Sequence, residues 1–395
     1  MIFNTGWFFL FFLIFYPLFW ITPWSKARFF FLLASSMVFH YHFAGPAGIK
    51  PIIVMAVLTF GLALWMERFP PGDPKRKRIF LLALAVPVLG LIGYKYRVLF
   101  FSTLAPAAGG AFFQALAVQP ALPLAISFFT FEFVHYLTDV YHGSQPIRNP
   151  FKFTLFCIFF PSIVSGPIKR YQRFMPWVER GIARPGFEMV VKGFSQILLG
   201  FFKKLVVADN VTVVIHLVEH HTDRSPGAVW LLMLLLWLRI LFDFSGYSDI
   251  AIGLGKTMGF ELPANFNFPY IAQNIADFWN RWHMSLSSWI RDYIYIPLGG
   301  SRHGPGRKFA NLLLTMFICG LWHGADWHFG FWGVYQGLGL AVHSVWEKSH
   351  KNPNPGAIGR WVRIGFTNLF TAYGWLIFFY PLKNVVEYTK TLFFF

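Results

Sequence analysis

The amino-acid sequence predicts an all-α polytopic membrane protein with about ten or eleven transmembrane helices. Of its 395 residues, 56% are hydrophobic and only 13% are charged, which is too apolar for a soluble domain of this length. Apolar runs that approach the roughly 20 residues of a spanning helix recur along the whole chain. They lie at residues 7–20, 29–44, 52–65, 79–92, 122–140, 151–164, 187–207, 229–244, 309–322, 329–345 and 364–382. The shorter runs are expected to tilt, break or enter the membrane without crossing it.

The distribution of charge predicts which side of the membrane each loop faces. The first apolar run, residues 7–20, is expected to be a helix and not a removed signal peptide, because no basic segment precedes it and no cleavage pattern follows. Two basic loops, residues 25–28 and 67–78, are separated by two apolar runs and should share one side, which the positive-inside bias makes cytoplasmic. With a net charge of +17, such a face attracts anionic lipid head groups and also suits an acidic carrier protein or the phosphates of coenzyme A.

The organisation of the chain predicts a single integral-membrane domain over residues 1–395, since no internal repeat or long linker divides it. Unusual polar residues concentrate in the apolar runs between residues 123 and 327, and the motifs discussed below lie within residues 123–341. Each ionisable group inside a bilayer costs a few kcal/mol unless it is paired or wetted, so this stretch is where function is expected. Two cysteines, Cys157 and Cys319, lie in apolar runs far apart in sequence and predict neither a disulfide nor a cysteine metal site.

One predicted spanning helix carries two opposite charges. Arg239 and Asp243 are four residues apart, hence on one helix face, where they are expected to neutralise each other. A structural ion pair is the simpler interpretation of this pattern.

The segment "FWNRWHMSLSSWIRDYIYIPLGG" concentrates charges and aromatic rings in an otherwise apolar chain. Asn274 is expected to cap a helix over residues 275–289, which would place Trp279 and His283 on an aromatic face and Arg281 on a charged face. Such a helix suits a membrane interface or a cavity wall, because tryptophan and arginine favour the head-group level. The alternative is a structural His283 that bonds a neighbouring carbonyl.

A single histidine is predicted deep in the membrane. If a helix begins near Phe309, fourteen residues at about 1.5 Å each carry His323 roughly 21 Å into a core about 30 Å thick. Gly324 and Asp326 are then expected to end that helix. Burial away from water favours a neutral imidazole that can accept a proton. His328, five residues on, does not match metal-ligand spacing, and no metal site is predicted.

Taken together, the polar motifs resemble the membrane-bound O-acyltransferase family, in the bacterial branch that contains the alginate O-acetylation membrane protein and the D-alanyl transfer protein of teichoic acid. The segments that carry the resemblance are "PLAISFFTFEFVHYLTDVYHG", "SGPIKRYQRF", "GFFKKLVVADN", "FDFSGYSDIAIGLGKTMGF", "NFNFPYIAQNIADFWNRWHMSLSSWIRDYIYIPLGGSR" and "GLWHGADWHFGFWGVYQGLGLA".

The resemblance implies a ring of transmembrane helices, with interfacial or re-entrant helices, around a central cavity where a cytosolic tunnel meets an outer funnel. It implies no tightly bound cofactor. The acyl donor would be a thioester on coenzyme A, such as acetyl-CoA, or on an acyl carrier protein. The receiving hydroxyl would belong to a cell-envelope or secreted polysaccharide.

By the same resemblance, His323 would act as general base on the acceptor hydroxyl, and His283 would orient the reactants or stabilise charge on the thioester oxygen. An acyl-histidine intermediate is less favoured. Further substrate-binding residues are implied at Asn280, Trp279, Trp282, Ser287, Trp322, Asp326, Arg281, Asp243 and Tyr247.

The identity of the acyl group stays open between two types. The segments "LTDVYHG" and "YIPLGGSR" favour acetyl transfer, whereas the chain length is closer to that of the D-alanyl type. The expected partners are a periplasmic or extracellular acyltransferase or esterase-like protein and membrane lipids, without nucleic acid, at the bacterial cytoplasmic membrane, which the chain crosses many times. A proton-coupled transporter is the alternative from another class, although the inverted repeats typical of transporters are absent from the sequence.

Overall fold

The computed structural model describes residues 2–104, 110, 112, 116–118, 120–180, 182–220, 225–349 and 356–393. Every regular element among these residues is helical, as the sequence predicts. The α-helices are α1 (Gly6–Ile21), α2 (Ser25–Glu67), α3 (Pro74–Leu91), α4 (Arg97–Leu104), α5 (Ile126–Tyr141), α6 (Pro150–Ile158), α7 (Tyr171–Glu179), α8 (Phe187–Phe201), α9 (Asp209–His220), α10 (Pro226–Thr257), α11 (Ile275–Arg281), α12 (Met284–Ile290), α13 (Gly304–His323), α14 (Trp327–Ser349), α15 (Gly356–Phe379) and α16 (Leu382–Phe393).

The packing of the backbone divides the chain into two compact units. The first contains Met1–Leu198 and Tyr247–Pro263, and the second contains Leu199–Gly246 and Ala264–Phe395. The single domain over residues 1–395 stays a prediction.

Three stretches in the described part of the chain are long and apolar enough to cross a membrane: α2, the stretch Pro74–Leu104 that contains α3 and α4, and α10. This confirms a polytopic membrane protein, while the count of ten or eleven crossings stays a prediction. Helix α2 is kinked at Gly45, whose φ of +64° is accessible to glycine at little cost. Pro46 follows directly, so the two apolar runs predicted in this stretch are separate helical segments.

Buried charges in the first unit hold helix ends and a pair of side chains together. The Arg76 guanidinium donates to the carbonyl of Tyr141 at 3.0 Å and also to Phe69, where α2 and α5 leave backbone acceptors unsatisfied. Lys169 forms a buried ion pair with Glu132. Removing either partner of such a pair leaves an uncompensated buried charge, which costs about 3–5 kcal/mol.

In the second unit, α13 and α14 approach each other at glycine residues. A Cβ atom on Gly320 would lie 2.1 Å from the carbonyl oxygen of Phe329, and one on Gly333 would lie 2.2 Å from that of Met316. Only glycine permits two helix backbones to come so close. This contact fixes the end of α13, where His323 is the last helical residue.

Two predicted helices differ from the observed ones. The run at residues 151–164 is helical only as far as Ile158, after which the chain turns over Pro161. The helix predicted over residues 275–289 was wrong, because it is broken at His283 into α11 and α12. The single aromatic face and charged face inferred for that helix therefore do not exist as one surface.

Three segments have π-helical geometry that the sequence analysis did not anticipate: Ile92–Tyr96, Phe202–Ala208 and Arg291–Tyr295. π-helical turns are rare in proteins overall, and those that do occur are often found at functional sites. The third directly follows α12 and brings Arg291 and Tyr295 to the cavity described below.

Candidate functional site

The candidate site lies in the second unit and begins with the cap of α11. The Asn274 side chain accepts a hydrogen bond from the backbone N–H of Asp277 at 2.8 Å, as predicted. The Asp277 carboxylate in turn accepts from the backbone of Gln273 at 3.2 Å and from the Arg281 guanidinium at 2.7 Å. Arg281, predicted to bind substrate, is thus engaged in holding α11 together.

The break between α11 and α12 is centred on His283, which has a left-handed backbone with φ of +42° and ψ of +53°. This conformation is uncommon for a residue with a side chain and costs about 1–3 kcal/mol. It is held from both sides by one extended segment. Met284 N–H donates to the carbonyl of Asn265 at 2.9 Å, and Asn267 N–H donates to the carbonyl of Arg281 at 3.0 Å.

The imidazole of His283 is 1% exposed and is surrounded by aromatic rings. Its centroid lies 4.6 Å from Phe244 and 6.3 Å from Trp322, both in edge-on arrangements. Within the described residues, neither ring nitrogen has a hydrogen-bond partner. Burying such a polar group without a hydrogen bond costs about 1–3 kcal/mol. His283 therefore combines a strained backbone with an unsatisfied buried side chain, and strained residues of this kind are typical of functional sites.

His323 ends α13 and is ringed by large aromatic side chains. Its centroid lies 4.8 Å from Trp322, 5.3 Å from Trp332 and 5.1 Å from Phe378. The ring is only partly buried, unlike that of His283. Gly324 ends the helix as predicted, although the helix starts at Gly304, earlier than expected. Trp322 is therefore a common wall between the two histidines.

A cavity of about 410 Å³ lies in the second unit, and its lining contains Met284, which follows His283, but neither histidine nor Trp322. Trp279, Asn280 and Ser287, all predicted to bind substrate, line it. Its full lining consists of Ala276, Trp279, Asn280, Met284, Leu286, Ser287, Ser288, Ile290, Arg291, Tyr295, Leu312, Thr315, Met316, Cys319 and Leu340. Thr315 and Cys319 stand on one face of α13, and His323 lies one turn further along that face. On α13 the lining therefore ends at Cys319, one turn before His323.

Two residues that line this cavity each carry a polar atom that is fully buried and has no hydrogen-bond partner in the described part of the protein. These atoms are the hydroxyl of Thr315 and the indole N–H of Trp279. Both side chains are more than nine-tenths buried. Buried polar groups are nearly always satisfied, so these two are unusual, although neither atom is exposed to the cavity in this structure.

The remaining predicted residues lie outside the cavity lining. Trp282 is buried in an aromatic cluster, 5.0 Å from Trp375, and its carbonyl accepts a hydrogen bond from Ser287. Asp326 caps the start of α14 and accepts from the His328 ring at 2.9 Å.

The predicted pairing of Arg239 with Asp243 is replaced by other contacts. Asp243 pairs with Lys204 at 2.7 Å, and the same ammonium group reaches Asp209 at 2.7 Å. Arg239 lies over the ring of Phe379, 5.1 Å from its centroid. The π-helical turn after α8 presents Lys204, so spacing along α10 alone does not decide the partner of Asp243.

Tyr247 belongs to the first unit, where its ring packs 4.9 Å from Phe3. Its binding role stays a prediction.

Several residues that the structure places at the cavity or at the histidines were not predicted from the sequence. Thr315 and Cys319 precede His323 by eight and four residues, so helical periodicity counted back from His323 would have found them. Arg291 reaches the cavity through a π-helical turn, and Phe378 comes from a distant helix, so no local pattern indicates either residue.

Comparisons with known proteins give the family. A model of the MBOAT, membrane-bound O-acyltransferase family matches residues 126–381. The probable alginate O-acetylase AlgI of Azotobacter vinelandii is 35% identical over 394 residues, covering 96% of this chain and 75% of that protein. The peptidoglycan O-acetyltransferase of Helicobacter pylori is 31% identical, covering 91% and 72%. The teichoic acid D-alanyltransferase of Bacillus subtilis is 30% identical, covering 65% and 68%.

The matches to alginate O-acetylases of Pseudomonas species span only about half the length of those proteins. The match to the Azotobacter protein nevertheless runs along nearly all of this chain, and the family model covers the segment that contains both histidines. The chain belongs to the membrane-bound O-acyltransferase family.

Proposed function

We propose that this protein transfers an acetyl group from a cytoplasmic thioester donor to a hydroxyl group of a cell-envelope or secreted polysaccharide. The observation that carries the proposal is the pair His283 and His323, which both contact Trp322 and belong to segments that also line a cavity of about 410 Å³. A buried His283 and a partly buried His323, both among aromatic rings, suit proton transfer in a place with little bulk water.

In the proposed reaction His323 acts as general base. Its neutral imidazole takes the proton of the acceptor hydroxyl as that oxygen attacks the thioester carbonyl carbon. The C–S bond breaks as the new C–O bond forms, and the imidazolium returns the proton to the departing thiolate. The acceptor becomes an ester, the donor becomes a thiol, and His323 is regenerated. A positioned general base contributes about 10²–10⁴-fold to the rate.

His283 is proposed to orient the reactants or to stabilise negative charge on the thioester oxygen. Its two ring nitrogens have no partner among the described residues, so one of them can donate to a developing oxyanion without breaking an existing bond. Asn280 and Ser287 line the adjoining cavity and are proposed to assist. An acyl-histidine intermediate is the less favoured route.

The cavity is proposed to hold the reactive end of the donor. Polar side chains in its lining, among them Asn280 and Ser287, would bond amide or carbonyl groups of an arm that ends in a thioester. Arg291, the charged side chain in the lining, would favour the phosphate-bearing part of a coenzyme A or carrier-protein donor.

The lining also bears on the choice between acetyl and D-alanyl groups. A D-alanyl thioester carries an ammonium group, which requires a carboxylate or a cluster of carbonyl oxygens when it is buried. The described lining contains no Asp or Glu side chain, and its charged member, Arg291, forms an ion pair with Asp292 at 2.9 Å, which leaves that carboxylate engaged. We therefore favour the uncharged acetyl group and keep D-alanyl transfer as the second candidate.

The remaining parts of the proposal concern location and partners. Transfer from a cytoplasmic thioester to an external polymer places the protein in the bacterial cytoplasmic membrane, with the basic loops at residues 25–28 and 67–78 inside. A periplasmic or extracellular acyltransferase or esterase-like partner is proposed to receive or direct the acyl group. No tightly bound cofactor is proposed.

The decisive experiment replaces His323 with alanine in the full-length protein and measures the O-acetyl content of the surface polymer. We expect a loss of at least about 100-fold, because the general base is removed. His220→Ala is the matched control, since His220 is exposed on α9. Unchanged acetylation by the His323→Ala protein, present in membranes at normal amounts, would contradict the proposal.

A second measurement identifies the donor. Purified protein in lipid vesicles is supplied with labelled acetyl-CoA, an acetylated carrier protein or a D-alanylated carrier protein, and label that appears on a hydroxyl acceptor is counted. Transfer from a D-alanyl donor in preference to both acetyl donors would overturn the assignment of the acyl group while leaving the role of His323 intact.

A further inference from the structure

A second cavity, which the proposed reaction does not use, lies between α14 and α15. It is an open groove of about 550 Å³. Its lining is almost entirely apolar and consists of Asn274, Ile275, Tyr335, Leu338, Gly339, Val342, His343, Trp346, Phe366, Thr367 and Phe370. We refer to these residues as the lateral groove.

The rim of the lateral groove faces outwards. Val342 is 61% exposed, Trp346 is 59% exposed and Phe366 is 69% exposed. Large apolar side chains that stand together on the outside of a membrane protein contact hydrocarbon rather than water. A hydrocarbon chain is therefore the kind of group that this groove meets.

Two arginines lie in the first turns of α15, before the residues of that helix that line the groove. Arg360 and Arg363 precede Thr367 by seven and four residues, which places all three on one helix face together with Phe370. Both arginines are exposed, and neither makes an ion pair with a described carboxylate. The apolar groove thus has unneutralised positive charge at one end.

Negative charge is scarce around this end of the groove. Helix α15 contains no Asp or Glu. Glu347 is the acidic residue of α14, and it follows Trp346, next to the lining stripe rather than in it. The arginines can therefore attract an external anion.

We propose that the lateral groove binds an anionic phospholipid, with one acyl chain in the groove and the phosphate between Arg360 and Arg363. Basic residues above an apolar surface between spanning helices are the chemistry that recognises anionic head groups. An arginine fork binds a phosphate oxygen pair in a bidentate manner, which a zwitterionic head group with its own cation satisfies less well. This inference goes beyond the proposed acyl transfer and does not depend on it.

The floor of the groove adjoins the structure that leads to His283. Asn274 and Ile275 are the cap and the first residue of α11, and both line the groove. A bound acyl chain would pack against this end of α11. Occupancy of the groove would then stabilise the short helix that precedes the strained turn at His283.

Binding is tested with the purified full-length protein by native mass spectrometry, during titration with phosphatidylglycerol or phosphatidylcholine. We expect tighter binding of phosphatidylglycerol. Arg360→Gln and Arg363→Gln should each weaken its binding about fivefold, because each basic residue near the membrane surface contributes a similar electrostatic increment. Arg307→Gln, an exposed arginine at the start of α13, is the matched control and should leave binding unchanged.

A second variant tests the groove itself. Val342→Trp adds bulk at an exposed lining position without displacing a buried residue, so it should reduce the binding of both lipids. Equal affinity for the two lipids in the wild-type protein would overturn the proposal. So would full phosphatidylglycerol affinity in a protein that carries both Arg360→Gln and Arg363→Gln. Displacement of bound phosphatidylglycerol by coenzyme A would also overturn it, since the arginines would then serve the acyl donor.

Discussion

Replacing His283 with glycine should distinguish the effect of this residue on the free energy of unfolding from its effect on the rate of acyl transfer. The backbone at position 283 is left-handed, which glycine adopts without strain and histidine adopts at a cost of about 1–3 kcal/mol. The imidazole is also buried with both nitrogens unpartnered among the described residues, at a cost of about 1–3 kcal/mol. Both penalties disappear in the His283→Gly protein.

Against this gain stands the loss of a buried ring and the cavity that it leaves. Truncating a buried aromatic side chain ordinarily costs about 3–5 kcal/mol. The opposing terms are similar in size, so the thermal stability of His283→Gly should stay close to that of the wild type. Phe278→Ala is the matched comparison, because Phe278 is a fully buried aromatic on α11 in ordinary helical geometry, and it should lose the full amount.

The assay pairs the midpoint of thermal unfolding in detergent with the rate of acyl transfer in vesicles. We expect His283→Gly to unfold near the wild-type temperature and to transfer at least about tenfold more slowly, since a charge-stabilising group is lost. His283→Asn, which tolerates the left-handed backbone and keeps a polar side chain, should recover part of the rate. A His283→Gly protein as unstable as Phe278→Ala, with an unchanged rate per folded molecule, would refute this reasoning and make His283 structural.

Three further predictions concern the scaffold. Gly320→Ala should destabilise the protein by at least about 1–3 kcal/mol in thermal unfolding, because its new Cβ would lie 2.1 Å from a carbonyl oxygen of the neighbouring helix. The control Gly365→Ala places its Cβ in open space and should be neutral or stabilising. Lys204→Met should lower stability by leaving two carboxylates without their shared cation, and adding Asp243→Asn should restore part of the loss. The pKa of Asp326 lies below its usual value, because hydrogen bonds from the residues at the start of α14 outweigh the raising effect of burial. Its contribution to stability is therefore present above the usual carboxyl range and lost as the pH falls through the lowered pKa, and Asp326→Asn should remove this acid dependence from melting curves.

The segment that contains the candidate site could be selected from the sequence because that choice depends on composition. In an apolar chain, a charged or imidazole side chain has to be paired, wetted or used, so His283 and His323 are conspicuous without any coordinates. Local chemistry also determined that Asn274 caps a helix and that Gly324 ends one, since both effects act over only a few residues.

Predictions from the sequence were wrong where distant segments determine the local structure. The helix predicted through His283 has good local periodicity, but Asn265 and Asn267 take the backbone hydrogen bonds on either side of that residue and hold it in a left-handed turn. The predicted partner of Asp243 was wrong for a related reason, because Lys204 arrives from a π-helical turn and not from the same helix.

The sequence alone determined that this protein lies in a membrane and which family it resembles, because these properties follow from residue type and order. It also predicts His283 and His323 as the residues that act in the reaction. Only the tertiary structure decided that Trp322 contacts both histidines, that Thr315 and Trp279 line one cavity, and that an apolar groove lies between α14 and α15. The physical reason is that side chains far apart in the chain meet only after whole helices have packed, and packing depends on close backbone contacts such as that at Gly320.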